Sequence, residues 1–284
     1  MLNLLELYCA VDDFMKEFMP RYRKHLLTTG IKQRAKQSKL STSEIITLLI
    51  FFHYSQYRNF KAYYTQYVTF QLRSEFPNLV SYKQFVALIS SVLVPLAAYI
   101  KHFKKSYEGV GFVDSTSLAV CYRKRISSHK VFSGLAALGK TTKGWFLGFK
   151  LHFICNTQGQ FLACCITPGN VDNRTPLLKM TRFFKGKLVG DKGYISKKLA
   201  EQLLNQGIQL ITGIKKAMKN KLMPLVDKIL LRKPVLIETI FNQLKNTFHL
   251  EHSRHRHPLN GLVNILSTIA AYIHYPNKPS ISMT

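Results

Sequence analysis

Acidic residues are scarce. The 284-residue chain sets 14 Asp+Glu against 41 Lys+Arg, a formal net charge of +27 at pH 7. A compact fold with so large an excess of one sign repels itself unless a polyanion binds it. Nucleic acid is the first candidate and an anionic membrane surface the second. Cysteine is also sparse. Cys9, Cys121, Cys155, Cys164 and Cys165 make an odd number, two are adjacent, and no CxxC pair occurs. That argues against a disulfide framework or a cysteine zinc site and for reduced thiols in the cytoplasm. Long hydrophobic runs are missing too. Residues 45–52 are too few, and residues 85–100 fall short of the roughly 20 a membrane span needs and contain Ser90, Ser91 and Pro95. Both read as buried helices, and no membrane partner is expected. The N-terminus is acidic in its first turns and lacks the basic lead and small-residue cleavage site of a secretory signal. What is plentiful is apolar: 46% hydrophobic residues in a chain this long allow one large or two modest domains, each with a core.

The first hundred or so residues read as helical. Leu4, Leu5, Tyr8 and Val11 recur at helical spacing, Ser41 or Ser43 is a candidate N-cap with Glu44 in the first turn, and Ser81 could cap a helix through Ile89. The helices near 41–54 and 81–89 could form a helix-turn-helix. The pattern changes near Gly109. Residues 109–122, 144–155 and 161–167 read as strands, the last two joined by the turn NTQGQ as a hairpin. A helix over 174–184, a strand over 187–190, a helix over 196–206 and a strand over 209–214 follow. Helices over 236–250 and 259–275 close the chain. The expected fold class is α/β: a mixed sheet of three antiparallel strands and then parallel strands with helices, preceded by an all-helical part. The boundary falls at 108, dividing the chain into 1–108 and 109–284. The second part carries 26 bases against 7 acids, and so most of the positive charge.

Those seven acids are informative because they are few. Glu201 and Asp227 sit in polar surroundings that call for no explanation. Asp114 lies inside an apolar strand (FVDST), Asp191 ends another (LVGDKGY), and Glu238 opens an amphipathic helix (IETIF). A buried carboxylate needs a base, hydrogen bonds or a metal. Read singly, these are a salt-bridged strand Asp, a turn Asp and a helix-start Glu favoured by the dipole. Read together, two strand carboxylates and one helix carboxylate can converge on hard divalent cations. Two such ions can activate a water or a 3′-hydroxyl and stabilise the leaving oxygen of a phosphodiester.

At these residues the sequence resembles the DDE transposases, enzymes with an RNase H-like core, and within them the insertion-sequence 982 family. The stretches that carry the resemblance are LSTSEIITLL, FVDST, HKVFSGLAALGKTTKGWFLGFKLH, PGNVDNR, GDKGY and IETIFNQLKNTFHLEHSRHR. The resemblance implies that Asp114, Asp191 and Glu238 are the catalytic and metal-binding triad, holding two Mg²⁺ with Mn²⁺ as a substitute. It implies a helical DNA-binding domain over 1–108 and an RNase H-like catalytic domain over 109–284. Its substrates would be double-stranded DNA, both terminal inverted repeats and target. Its working form would be a homodimer in the synaptic complex of a bacterial, nucleoid-associated cytoplasmic enzyme. Related transposases carry a Tyr and an Arg ahead of the Glu. Here those positions are Leu231 and Pro234, with Arg232 shifted, whereas Lys245 keeps its place seven residues after Glu238.

The remaining candidates are basic. Residues 123–143 hold Arg123, Lys124, Arg125, Lys130, Lys140 and Lys143 and follow the Asp114 strand, so they could lie along DNA. Lys192, Arg232, Lys245, Arg254 and Arg256 complete the expected DNA contacts. The histidines among 249–257 read as a phosphate-contacting helix end rather than a zinc site. Asp172, in a Pro-Gly-Asn loop, is either a helix cap or an auxiliary acid. Trp145, the sole tryptophan, opens a strand and could stack on a base or join the core. Besides a transposase, the composition admits a non-catalytic DNA-binding protein descended from one.

Overall fold

The computed structural model describes residues 3–31, 38–55, 57–142, 144–214, 223–233, 235–251 and 255–281. In chain order the helices are α1 (Leu4–Thr28), α2 (Thr42–Phe52), α3 (Phe60–Ala62), α4 (Thr69–Gln71), α5 (Tyr82–Ile89) and α6 (Leu93–His102). The strands are β1 (Tyr107–Ala119), β2 (Ala137–Thr141), β3 (Gly144–Asn156), β4 (Phe161–Pro168), β5 (Phe184–Gly190) and β6 (Ile208–Thr212). Interleaved with and following them are α7 (Leu177–Met180), α8 (Lys197–Leu204), α9 (Leu225–Leu230), α10 (Val235–Asn242) and α11 (Pro258–His274). This is a mixed α/β protein.

Two compact units emerge, residues 1–102 with 244–276, and residues 103–243 with 277–284. The division differs from a single break at 108. The last helix is apolar almost all round, and it packs on α2, α5 and α6 rather than on the sheet. A helix with that pattern needs partners on every side, and the N-terminal helices supply them.

In the helical unit, the caps read from sequence are present. Ser41 Oγ accepts from Glu44 N at 3.1 Å while Glu44 Oε2 accepts from Ser41 N at 2.6 Å. Ser81 and Gln84 form the same reciprocal box at the start of α5. Helices α2 and α5 do not make a helix-turn-helix, because α3, a wide π-turn over Tyr63–Val68 and α4 lie between them. The helical stretch Tyr82–His102 is 21 residues, longer than the sequence suggested and apolar enough to cross a membrane by length and composition. Its Phe85, Ile89, Val92, Leu96, Tyr99 and Ile100 are buried, and it packs on α11.

In the sheet unit the strand order is β2–β3–β1–β5–β6, with β4 pairing the far half of β3. Strands β1, β3 and β4 are mutually antiparallel where they pair, and β5 and β6 run parallel to β1. Strand alternation gives the sheet two working faces. One carries Val113, Ile154, Ala163 and Leu188 and is closed by Leu177, Met180, Leu199 and Leu203 from α7 and α8. The other carries Phe112, Asp114 and Phe153, and α10 packs there, with Phe241 against Phe153 at 6.4 Å between ring centroids. Two expectations change. Residues 174–184 are helical only over α7, because Thr181 Oγ1 bonds back to Leu177 O at 3.0 Å and Phe184 N to Thr181 O at 2.9 Å, closing a turn into β5. Asp227 is buried, not exposed, and is held by Lys187 of β5 at 2.7 Å.

Candidate active site

Asp114 sits in the middle of β1, directly across from Phe153 of β3. On its other side, β1 pairs with β5 in parallel, the last pair being Val113 with Gly190. The next residue on each strand is Asp114 and Asp191. Parallel strands lie about 4.8 Å apart, and residues at the same level point to the same face. The two carboxylates therefore stand side by side. Asp191 also ends β5 by capping the turn Lys192–Tyr194, its Oδ1 accepting from Gly193 N at 3.0 Å. A Cβ at position 193 would meet that same oxygen at 3.0 Å, so glycine permits the close approach.

Glu238 comes from α10, which packs on β1. It lies one turn before Phe241, whose ring meets the Phe153 that faces Asp114. The sheet face of Asp114 is thus also the face on which the Glu238 helix lies. The electrostatics agree. Burial, with the negative charges of Asp191 and Glu238 acting in the same direction, pushes the Asp114 carboxyl up to about 7, against a hydrogen bond from Ser115 N at 2.7 Å.

Among the described residues, no three His, Cys, Asp or Glu side chains are gathered closely enough to hold a metal ion as they stand. The donors nevertheless suit a hard divalent cation, because they are all oxygen and the central one carries a penalty that a cation would relieve.

Behind Asp114 lies a polar layer that the sequence did not reveal. Tyr194, three residues past Asp191, is fully buried, and its hydroxyl lies beside Ser115. Burial raises that phenol's pKa, and Asp114, Asp191 and Asp172 raise it further. His152, opposite Ser115 on β3, is buried and bonds Thr167 Oγ1 at 2.9 Å; burial holds its pKa down to about 4. The only sequence signal for this layer was the Tyr at the end of GDKGY.

Asp172 does not cap α7. Its carboxylate is exposed and forked by Arg174, with Nε to Oδ1 at 2.8 Å and Nη2 to Oδ2 at 2.5 Å, which lowers its pKa to about 2. Arg123, Lys124, Arg125, Lys130, Lys140, Lys192 and Arg232 are all exposed on the sheet unit. Lys245 and Arg256 belong to the helical unit; the regular helix of Glu238 ends at Asn242, and Lys245 pairs with Glu251 at 3.2 Å. Lys143, Pro234 and Arg254 lie outside the described residues.

The chain is thus a mixed-sheet α/β protein with neighbouring carboxylates at the centre of the sheet and a strong excess of positive charge. The family described as "Transposase DDE domain" matches residues 104–258, and the chain belongs to that family. No curated protein matches it. Among solved structures it is similar to a piggyBac transposase synaptic complex with hairpin DNA, at 14% identity and a TM-score of 0.41 over 80% of this chain and 53% of that one. It therefore spans about half the length of that relative. It is also similar to the Mos1 strand transfer complex, at 10% identity and a TM-score of 0.24 over 90% and 85% of the two chains. A pre-cleavage Mos1 transpososome matches at 11% identity and a TM-score of 0.24 over 96% and 97%.

Proposed function

We propose that this transposase cleaves DNA at the ends of an insertion sequence and joins the freed 3′-OH to target DNA, with Asp114, Asp191 and Glu238 as its catalytic residues. The observation that carries the reading is the side-by-side placement of Asp114 and Asp191 on parallel strands, with Glu238 close enough to raise the Asp114 pKa. The strand order β4–β3–β1–β5–β6 supports an RNase H-like core, and the motifs FVDST, GDKGY and IETIFNQLK support the insertion-sequence 982 family.

In this reading the three carboxylates would hold two Mg²⁺, or Mn²⁺ in their place. Such ions, when bound, lower the pKa of the attacking oxygen and neutralise charge on the leaving oxygen. Asp114 and Asp191 fix the site on the rigid sheet, and Glu238 closes it from α10. Gly193 N holds the Asp191 carboxylate in orientation from behind. Hydrolysis at the element's end breaks a phosphodiester and leaves a 3′-OH. That hydroxyl then attacks a target phosphate in line, its new bond replacing the one broken, with no covalent intermediate on the protein.

DNA is the proposed partner, as terminal inverted repeats and as target. The exposed basic residues of the sheet unit hold phosphates near the carboxylates, and the helical unit, including residues 244–276, recognises the ends. A homodimer is the proposed synaptic form. The test is Mg²⁺-dependent nicking of DNA carrying the element's terminal repeats. Asp114→Asn, Asp191→Asn and Glu238→Gln should each abolish nicking while leaving DNA binding in place.

A further inference from the structure

The chain's single tryptophan is on the surface. Trp145 opens β3 and is 47% exposed, an unusual position for the largest apolar side chain. Its strand partner in β2 is Lys140, whose Nζ lies 5.5 Å from the ring centroid. Leu138, on the same face of β2, is 45% exposed, and Tyr122 nearby in sequence is 79% exposed. Gly144, at φ +113, turns the hairpin, and Arg123 packs against it: a Cβ there would meet Arg123 Nη1 at 3.3 Å. An aromatic ring with Lys140 beside it, and Arg123 against the adjacent glycine, is thus displayed on the tip of an edge hairpin.

Two further facts identify what would cover it. From 115 to 171 the chain contains seven Lys/Arg and no Asp or Glu, so the hairpin and its approaches carry one sign only. Strand alternation also puts Trp145 on the face of β3 that carries Phe153, and hence on the Asp114 face. Eight residues of strand separate the two levels, about 26 Å. A polyanion running along this face from the carboxylates would reach the ring.

We propose that Trp145 is a stacking platform for an unpaired base of the bound DNA, with Lys140 and Arg123 on the flanking phosphates. Every base offers a π-face, so the platform is indifferent to sequence but requires the base to be out of the duplex. A cation beside the ring suits the phosphate that accompanies each stacked base. The inference rests on the transposase reading but concerns how DNA is held rather than how it is cut.

Because the tryptophan is unique, its fluorescence reports this one site. The full-length chain is titrated without divalent cations, so that no cleavage occurs, against a blunt duplex and against the same duplex with a short single-stranded tail. The tailed DNA should quench the emission strongly and the blunt duplex weakly. Trp145→Ala should weaken binding of the tailed DNA by roughly fivefold to a hundredfold, the range one base–aromatic stack is worth, and leave the blunt duplex within about twofold. Trp145→Phe should recover most of the loss. The ring is half exposed, so Trp145→Ala should melt as the parent does; if it does not, the Phe variant and the parent's quenching decide the matter. Equal quenching by both DNAs, equal loss of both, or quenching by an acidic polypeptide but not by tailed DNA would overturn the proposal. The assay contains no divalent cation and reads no cleavage, so a failure here is separable from a failure of the catalytic assignment.

Discussion

Asp114 and Asp191 stand abreast on neighbouring parallel strands, each one residue beyond the paired Val113 and Gly190. Burial, with the Asp191 charge beside it acting in the same sense, raises the Asp114 carboxyl to about 7. Such a pair costs stability unless a cation joins it. The fold maintains it on a central strand of the sheet, where Ser115 N donates to Asp114 and Gly193 N to Asp191.

That cost can be measured. With its pKa raised from 3.8 to about 7, Asp114 binds a proton more tightly in the folded state than in the unfolded one. Its contribution to stability is therefore present at acid pH and is lost as pH rises from about 4 to about 7. Without divalent cations at pH 8, Asp114→Asn should melt several degrees above the parent, and the difference should vanish near pH 4. Mg²⁺ should raise the parent's Tm and barely move the variant's. A variant that melts lower at pH 8 would contradict the electrostatic account.

The helical unit should respond to pH in the opposite sense. His53 is buried with Nδ1 at 2.7 Å from Phe248 O and Nε2 at 2.9 Å from Ser267 Oγ. Burial lowers its pKa from 6.5 to about 4, so the unfolded chain binds the extra proton between those values. Stability is whole above about pH 6.5 and falls as pH drops towards 4. Urea midpoints at pH 7 and pH 5 should show a smaller acid loss for His53→Gln than for the parent, although the variant starts less stable. An identical slope in both proteins would remove His53 as the cause.

Lys187 and Asp227 form the sheet unit's buried ion pair, with the Asp227 side chain 2% exposed and that of Lys187 35%. Lys187→Met leaves a carboxylate buried and unpaired, which should cost about 3 kcal/mol. The double variant Lys187→Met with Asp227→Leu should regain most of that loss, because it removes the stranded charge as well. Denaturant unfolding checks both, and a single variant within about 0.5 kcal/mol of the parent would show the pair to be dispensable.

Some of this was legible from sequence for definite reasons. The caps at Ser41 and Ser81 follow from side-chain chemistry within four residues, and β1, β3 and β4 from β-rich runs between turn residues. Strand β2 was missed because Ala137 and Gly139 give it no apolar alternation inside a basic stretch. Asp227 was misjudged because its partner is 40 residues away, across a packing no local pattern announces. The final helix was assigned to the sheet region by adjacency alone, whereas its all-round apolar surface needed helical neighbours. At the site, sequence showed that Asp114 and Asp191 were acids in apolar strands. That they are neighbours depends on the β1–β5 register, and that Tyr194 and His152 lie behind them depends on which face each strand turns inward.

The most direct test of the central claim is strand nicking of terminal-repeat DNA by Asp114→Asn in Mg²⁺, scored beside a gel shift on the same DNA. The account predicts that nicking falls by at least about a thousandfold, as expected when catalytic charge stabilisation is lost, while the shift is unchanged. Nicking at the parent's rate with the shift intact would show that the Asp114–Asp191 pair is not the active site.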